Sequence, residues 1–236
     1  MGFLEAPFSL WFSQAKLLLE FIAVLWAIAI VDLGLLNNGL GYAVIQKVRS
    51  LGGFFYYPFC GLFHADWDHI AANTVGLLLF GSVIVFRDPT QLWMVTIVTA
   101  LGSGWGVWLL SRGTYCCGAS GILFGYLGFI ITSASIEKDF SSAIILTWLV
   151  FSFLFGNSIY FHNSSAWNKE GNIALINRRV WSAGQSFWGV VPGKDDRISW
   201  EGHLFGLLSG VFAAQYKTIL TPWVNQFVAW VQQIRV

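Results

Sequence analysis

Long apolar runs alternate along this chain with short polar or glycine- and proline-containing breaks. A helix that crosses a bilayer needs about 20 mostly apolar residues, because its backbone must pair internally where there is no water. Only 11% of the 236 residues are charged, compared with roughly 25% in a typical soluble protein. We therefore predict an all-α, multi-pass integral membrane protein. The six predicted spans cover about residues 17–36, 66–86, 90–110, 119–136, 140–158 and 199–216.

The connections between these spans predict a single polytopic domain over residues 1–236. The breaks at 87–89 and 137–139 are so short that the spans on either side of each must form antiparallel hairpins at one membrane face. The connections at the opposite face are long, and they run over residues 37–63 and 159–198. The even-numbered spans therefore all begin at the face with the long connections.

The C-terminal segment 218–236 has the pattern of an amphipathic helix that begins at a proline. We expect this helix to lie in the membrane interface, because a seventh span would carry Asn225 and three glutamines into lipid. The first sixteen residues lack the pattern of a cleaved signal peptide. We expect the first apolar run to stay in the mature protein.

The charge and cysteine content exclude several classes of partner and site. A formal net charge of +1 provides no basic excess for nucleic acid. The lysines and arginines are spread over both predicted faces, so charge alone does not give the orientation. Cys60 and the adjacent pair Cys116 and Cys117 have no metal-binding or disulfide spacing. We interpret them as apolar packing residues, and we predict no metal and no cofactor.

Three groups of polar residues occur at the beginnings of the second, fourth and sixth spans. The second span opens with His64, His69 and Asn73, the fourth with Ser120 and the sixth with His203. Since these spans run in the same direction, the three groups lie at one depth. Polar and ionisable groups inside a bilayer are costly unless they face the protein interior, so their coincidence predicts a functional site.

The residue types at this site favour acyl transfer. A serine hydroxyl needs a base to remove its proton, and His203 is the only histidine on the sixth span. Ser120 lies near the start of its helix, where free backbone N–H groups can stabilise an oxyanion. His69 and Asn73 share one helix face and both offer N–H donors. We expect His64 to lie where the chain enters the membrane and to orient the preceding loop.

A serine–histidine pair requires that the fourth and sixth spans approach closely. Small residues at four-residue spacing allow helix backbones to come together in membranes. Such rows lie beside Ser120 and His203, and they consist of Gly121 and Gly125 on the fourth span and Gly202, Gly206 and Gly210 on the sixth.

Other interpretations of the same residues remain open at this point. Ser120 alone is more typical of a helix-packing serine. His203 is also compatible with a satisfied interior histidine, a proton relay or a haem ligand, and three histidines at one depth with a zinc site. Asp66, Asp68 and Glu201 are interpreted as loop or cap residues.

Three segments resemble the rhomboid family of intramembrane serine proteases. The segment from Tyr57-Pro58 through Phe63-His64-Ala65-Asp66-Trp67 to His69 and Asn73 resembles the signature of the family's second helix. Gly118-Ala119-Ser120-Gly121 resembles its GxSG nucleophile motif, and residues 199–206 (SWEGHLFG) resemble its sixth-helix motif. Together the resemblance covers most of the chain.

The resemblance implies a six-span rhomboid-like bundle that cleaves membrane proteins. Ser120 would be the nucleophile and His203 the base and later the acid. His69 and Asn73, supported by Gly118 and Gly121, would line the oxyanion hole. Neither an acidic triad member nor a cofactor is implied. The substrates would be single-pass membrane proteins in the cell (inner) membrane, and the site would open opposite the cytoplasmic amino terminus.

The chain also departs from the family pattern. Phe124 stands where many relatives have a tyrosine against the catalytic histidine, so we expect a ring contact without the hydroxyl. The first long connection lacks the Trp-Arg pair of many bacterial members, and the loop before the sixth span is longer than usual. Two other functions remain as alternatives, an inactive rhomboid-like chaperone and a small transporter.

Overall fold

The computed structural model describes residues 5–41, 50–110, 118–138 and 199–233. This part of the chain is helical and contains no β-strand. Two shorter 3₁₀ segments, Tyr57–Leu62 and Pro89–Gln91, lead into longer elements, and a π-helix, Ile30–Leu35, continues the first helix. The α-helices are α1 (Glu5–Ala29), α2 (Leu51–Tyr56), α3 (Trp67–Arg87), α4 (Leu92–Leu110), α5 (Ser120–Glu137), α6 (Trp200–Gln215) and α7 (Lys217–Gln233).

Four helices in the described ranges are long and apolar enough to cross a membrane. They cover 15–35, 67–87, 89–110 and 120–137, which agrees with the first four predicted spans. The sixth predicted span corresponds to α6, whose 16 residues extend about 24 Å at 1.5 Å per residue, slightly less than the roughly 30 Å apolar core of a bilayer. The fifth predicted span, 140–158, lies outside the described residues. The count of six spans therefore stays a prediction.

Helix α5 is the centre of the bundle, with α4 and α6 packed against it on two sides and α3 on a third. Glycines allow this close packing. A Cβ at Gly206 or at Gly210 of α6 would collide with the backbone carbonyl of Gly121 or Gly125 on α5, respectively. These contacts bring the first turns of α5 and α6 together, and both turns carry residues of the predicted site.

Ionic contacts mark the opposite end of the bundle. The carboxylate of Glu137, the last residue of α5, pairs with Arg87 at the end of α3 and with Lys217 at the start of α7. Three helix termini therefore meet at one end, as the direction of the predicted spans requires.

One prediction about the C-terminal helix was wrong. Pro222 does not begin α7 but lies inside it, since the helix starts at Lys217. The backbone N–H groups of Ile219 and Leu220 both bond the carbonyl of Tyr216. Because Tyr216 is the C-cap residue that directly follows α6, these bonds start the new helix before the proline is reached.

Candidate active site

Ser120 and His203 are in direct hydrogen-bond contact. The serine Oγ lies 2.8 Å from Nε2 of the histidine, although the two residues are 83 positions apart in the chain. Ser120 is the first residue of α5, and His203 lies in the first turn of α6. His203 is buried, whereas Ser120 is partly exposed. The distance is that of a base positioned to remove the hydroxyl proton.

His69 and Asn73 approach Gly118, which lies two residues before the start of α5. A Cβ built on Gly118 would lie 2.5 Å from Nε2 of His69 and 3.0 Å from Nδ2 of Asn73. The amide nitrogen of Asn73 is buried and has no hydrogen-bond partner among the described residues. Two side-chain donors of α3 therefore converge beside the start of α5, where its first backbone N–H groups also lack helical partners.

Gly118 is required at its position for two separate reasons. Its φ is +101°, a region that residues with a Cβ rarely adopt. Any side chain there would also fill the space in front of His69 and Asn73. The GxSG motif thus positions Ser120 and at the same time keeps open the space that the α3 side chains face.

His64 lies just before α3 and His69 lies in its first turn, and both make local contacts. Asp66 is the N-cap, and its carboxylate accepts the backbone N–H of His69 at 2.8 Å. The ring of His64 meets the ring of His69 edge to face, with the centroids 5.3 Å apart. Burial first, and then the neighbouring His69, lower the pKa of His64 to about 3, although the nearby Leu62 carbonyl partly opposes this effect. His64 is therefore a neutral ring that packs against a candidate oxyanion donor.

The predicted contact between Phe124 and His203 is present. The two rings are stacked, with centroids 4.4 Å apart and an angle of 22° between the planes. Since Phe124 lies one turn after Ser120, its ring limits the rotation of the imidazole that Ser120 contacts. The contact requires no hydroxyl.

Helix α4 supplies residues to this region that were not predicted. A Cβ on Gly121 would lie 2.8 Å from Oγ of Ser103 and 3.2 Å from the carbonyl oxygen of Gly202. Gly125 lies against Thr99 in the same way. Small residues on α4 therefore extend the close packing to three helices. The four-residue spacing of Thr99 and Ser103 is a signal in the sequence that could have indicated this contact.

A second feature missed in the sequence lies at the site end of the first span. Asp32 is buried in the π-helix, and its carboxylate accepts the N–H groups of Leu40 at 2.9 Å and Gly41 at 3.1 Å. The side chain of Asn38 donates to the carbonyl of Ala65 at 3.5 Å. Wide π turns of this kind often mark functional regions. Here Asn38, which follows the π-helix, contacts the segment that carries His64 into α3.

The acidic residues have the roles of helix ends. Asp66 caps α3, and Asp68 lies in its first turn. Glu201 lies in the first turn of α6 and is buried, while Ser199 is the N-cap. In the described part of the chain, no three His, Cys, Asp or Glu side chains are grouped closely enough to hold a metal ion.

Curated relatives match the chain over most of its length. Uncharacterized proteins of Mycobacterium tuberculosis and Mycobacterium bovis are 28% identical to it over 214 residues, which is 86% of this chain and 75% of theirs. An uncharacterized protein of Mycobacterium leprae is 29% identical over 210 residues, 86% of this chain and 71% of its own.

A family model for the rhomboid domain matches residues 51–174, slightly more than half of the 236 residues. This range includes His64, His69, Asn73 and Ser120. The family generally comprises serine proteases, although it has inactive members, and it acts on transmembrane substrates within the bilayer. Together with the four apolar helices, the match identifies an integral membrane protein. The chain belongs to the rhomboid family.

Proposed function

We propose that this protein is an intramembrane serine endopeptidase that cleaves transmembrane segments through an acyl-enzyme. The observation that carries the proposal is the 2.8 Å contact between Ser120 Oγ and His203 Nε2. It joins the two helix starts that the sequence marks as polar, and it lies beside the donors of His69 and Asn73.

In the first half of the reaction, Ser120 Oγ attacks the scissile carbonyl carbon while Nε2 of His203 takes the hydroxyl proton. This step needs the tautomer in which Nδ1 of His203 carries the ring hydrogen. The negative charge that develops on the carbonyl oxygen is stabilised by N–H donors of His69, Asn73 and the start of α5. The tetrahedral intermediate then collapses, the C–N bond breaks and His203 returns its proton to the leaving amine nitrogen.

In the second half, water attacks the ester that joins the substrate acyl group to Ser120. His203 accepts a proton from this water and afterwards gives it to Ser120 Oγ as the C–O ester bond breaks. The partial exposure of Ser120 supports water access. Ser120 is the first residue of its span and therefore does not lie near the middle of the bilayer.

The topology that we propose has six spans within one domain, and its site opens on the face of the long connections. The substrates are single-pass membrane proteins of the same bilayer, which we take to be the cell (inner) membrane. No cofactor takes part. The resemblance to the family implies that the substrate helix unwinds near small residues and presents an extended peptide bond to Ser120.

A direct test compares purified wild type with Ser120→Ala and His203→Ala on a fluorogenic transmembrane-segment substrate in detergent and in liposomes. We expect both variants to lose cleavage while they keep the unfolding temperature of the wild type. Ser135→Ala is the matched control, because Ser135 is an exposed serine of the same helix that bonds only its own α5 backbone in the described structure.

Equal cleavage by wild type and Ser120→Ala would refute the serine mechanism. If wild type cleaves none of a panel of transmembrane segments, but binds them with an affinity that Ser120→Ala shares, the protein is an inactive rhomboid-like binding protein. Substrate transport without cleavage would favour the transporter alternative.

A further inference from the structure

Helix α7 has a surface divided into three sectors of roughly 120° each. One sector faces the bundle and includes Leu220 and Val224, which pack against the core. A second sector is apolar and exposed. It consists of Ile219, Trp223, Phe227 and Trp230, which are 58%, 73%, 56% and 57% exposed.

The third sector of α7 is exposed and, besides the small apolar residues Pro222 and Ala229, carries three polar side chains. It includes Thr218, Gln226 and Gln233. A helix that crossed the bilayer beside the bundle would expose apolar side chains over its whole outward surface, because lipid would surround that surface. The outward surface of α7 is instead divided between side chains that favour lipid and side chains that favour water.

The position of α7 explains this division. Its first residue, Lys217, pairs with Glu137, which also pairs with Arg87. The helix then packs against the turn Pro89–Gln91 and against α4, which begins directly after that turn. The ionic contacts and the packing on Pro89–Gln91 place part of α7 at the end of the bundle away from Ser120, at the level where the spans leave the membrane.

We infer that α7 lies along the membrane surface at this end, with the exposed aromatic sector inserted among the lipid acyl chains. Tryptophan suits this depth, because its ring is apolar and its N–H can reach the headgroups. The Arg87–Glu137–Lys217 contact, which we call the clasp, fixes the start of the helix to two spans. The partner of the exposed apolar sector is therefore the lipid surface. This inference does not depend on the proposed protease activity.

Single cysteines test the arrangement in the full-length protein, with Cys60, Cys116 and Cys117 replaced by alanine. Thr218→Cys, Gln226→Cys and Gln233→Cys probe the polar sector, and Trp230→Cys probes the aromatic sector. The variants are labelled with a membrane-impermeant maleimide in vesicles of known orientation. An environment-sensitive fluorophore at 230 is then tested for quenching by brominated phospholipids.

We expect Thr218→Cys and Gln233→Cys to react from the same side of the membrane. Trp230→Cys should react about tenfold more slowly than Gln226→Cys, because a side chain buried at the acyl boundary is hidden from a water-soluble reagent. The fluorophore at 230 should be quenched by the brominated lipid.

Three results would overturn the inference. Labelling of Thr218→Cys and Gln233→Cys from opposite sides would make α7 a span. Equal rates at 226 and 230 would place the helix in water. Protection at 230 without quenching by brominated lipid would mean that protein, such as a second copy of the chain, covers the aromatic sector.

The clasp is tested with the same reagent on Leu220→Cys, which lies on the bundle side. Glu137→Gln should raise its labelling rate severalfold, because both ionic contacts are lost. Glu20→Gln is the matched control, since Glu20 pairs with Lys16 on an exposed surface of α1 at 3.8 Å. If the two variants behave alike, the clasp does not hold α7.

Discussion

The ring of Phe124 stacks on the imidazole of His203 with centroids 4.4 Å apart, while the same imidazole contacts Ser120. The aromatic ring of Phe124 thus packs on one side of the proposed base and leaves its Nε2 directed at Ser120 Oγ. Aromatic contacts of this kind contribute about 0.5–1.5 kcal/mol beyond the buried area. The orientation of the base therefore depends in part on a residue that takes no part in the chemistry.

Replacement of Phe124 by leucine should lower kcat by about 2- to 10-fold, which corresponds to the loss of one aromatic contact. Phe124→Tyr, which keeps the ring, should retain the activity of the wild type. Steady-state cleavage of a transmembrane substrate measures both variants. Unchanged kcat in Phe124→Leu would show that packing elsewhere fixes the imidazole.

Substitution of Gly118 by alanine should abolish most cleavage. The positive φ alone costs a residue with a Cβ roughly 1–2 kcal/mol, and the new methyl would lie 2.5 Å from the His69 ring. Gly61→Ala is the matched control, because its Cβ would be no closer than 3.5 Å to any neighbour. The prediction fails if the two variants cleave at similar rates.

Removal of the Asn73 amide should lower kcat by on the order of 100-fold with little change in KM, because the donor acts on charge that develops in the transition state. Thr74→Ala changes the next residue of the same helix, whose hydroxyl accepts from Trp26 at 2.9 Å, and should leave kcat unchanged. Kinetics of Asn73→Ala and Thr74→Ala in parallel give the comparison. A larger effect on KM than on kcat in Asn73→Ala would assign the amide to substrate binding.

The first four apolar helices and the contact between Ser120 and His203 could be predicted because they depend on patterns that are present in the sequence itself. Apolar length fixes which segments cross the membrane, and their alternating direction fixes which ends meet. The glycine spacing on two spans then indicates close approach. The contact between Gly206 and the Gly121 carbonyl follows from that spacing.

Other features depend on contacts that no local pattern contains. The turn capped by Asp32 and the φ of Gly118 result from how distant segments meet. Pro222 was interpreted as a helix start because proline favours first turns. In the structure Tyr216 already supplies the first acceptor for α7. Sequence rules describe each segment by itself, whereas the conformations at Asp32, Gly118 and Pro222 depend on the segments packed around them.

The neutral state of His64 predicts a pH dependence of folding. The pKa of its ring is about 3 in the folded protein and about 6.5 in an unfolded chain. Between these values the unfolded state binds the additional proton, so stability contributed by neutral His64 is complete above about pH 6.5 and falls as the pH drops towards 3. Unfolding temperatures of wild type and His64→Phe in detergent from pH 7 to pH 4 should diverge, with the wild type losing more. Parallel curves would contradict the assignment.

Gly206→Ala should destabilise the bundle and abolish the proposed cleavage together, because the added methyl would collide with the carbonyl of Gly121. Excess volume in a packed interior typically costs about 1–3 kcal/mol, and here the backbones of α5 and α6 must separate to accommodate it. The separation would lengthen the contact between Ser120 and His203, which lies beside this crossing.

Gly34→Ala is the control, since its Cβ would be 3.9 Å from the nearest neighbour, Trp67. The unfolding temperature and kcat should both fall in Gly206→Ala. Neither should change in Gly34→Ala. A stable Gly206→Ala protein with full activity would mean that the two helices do not meet at this glycine.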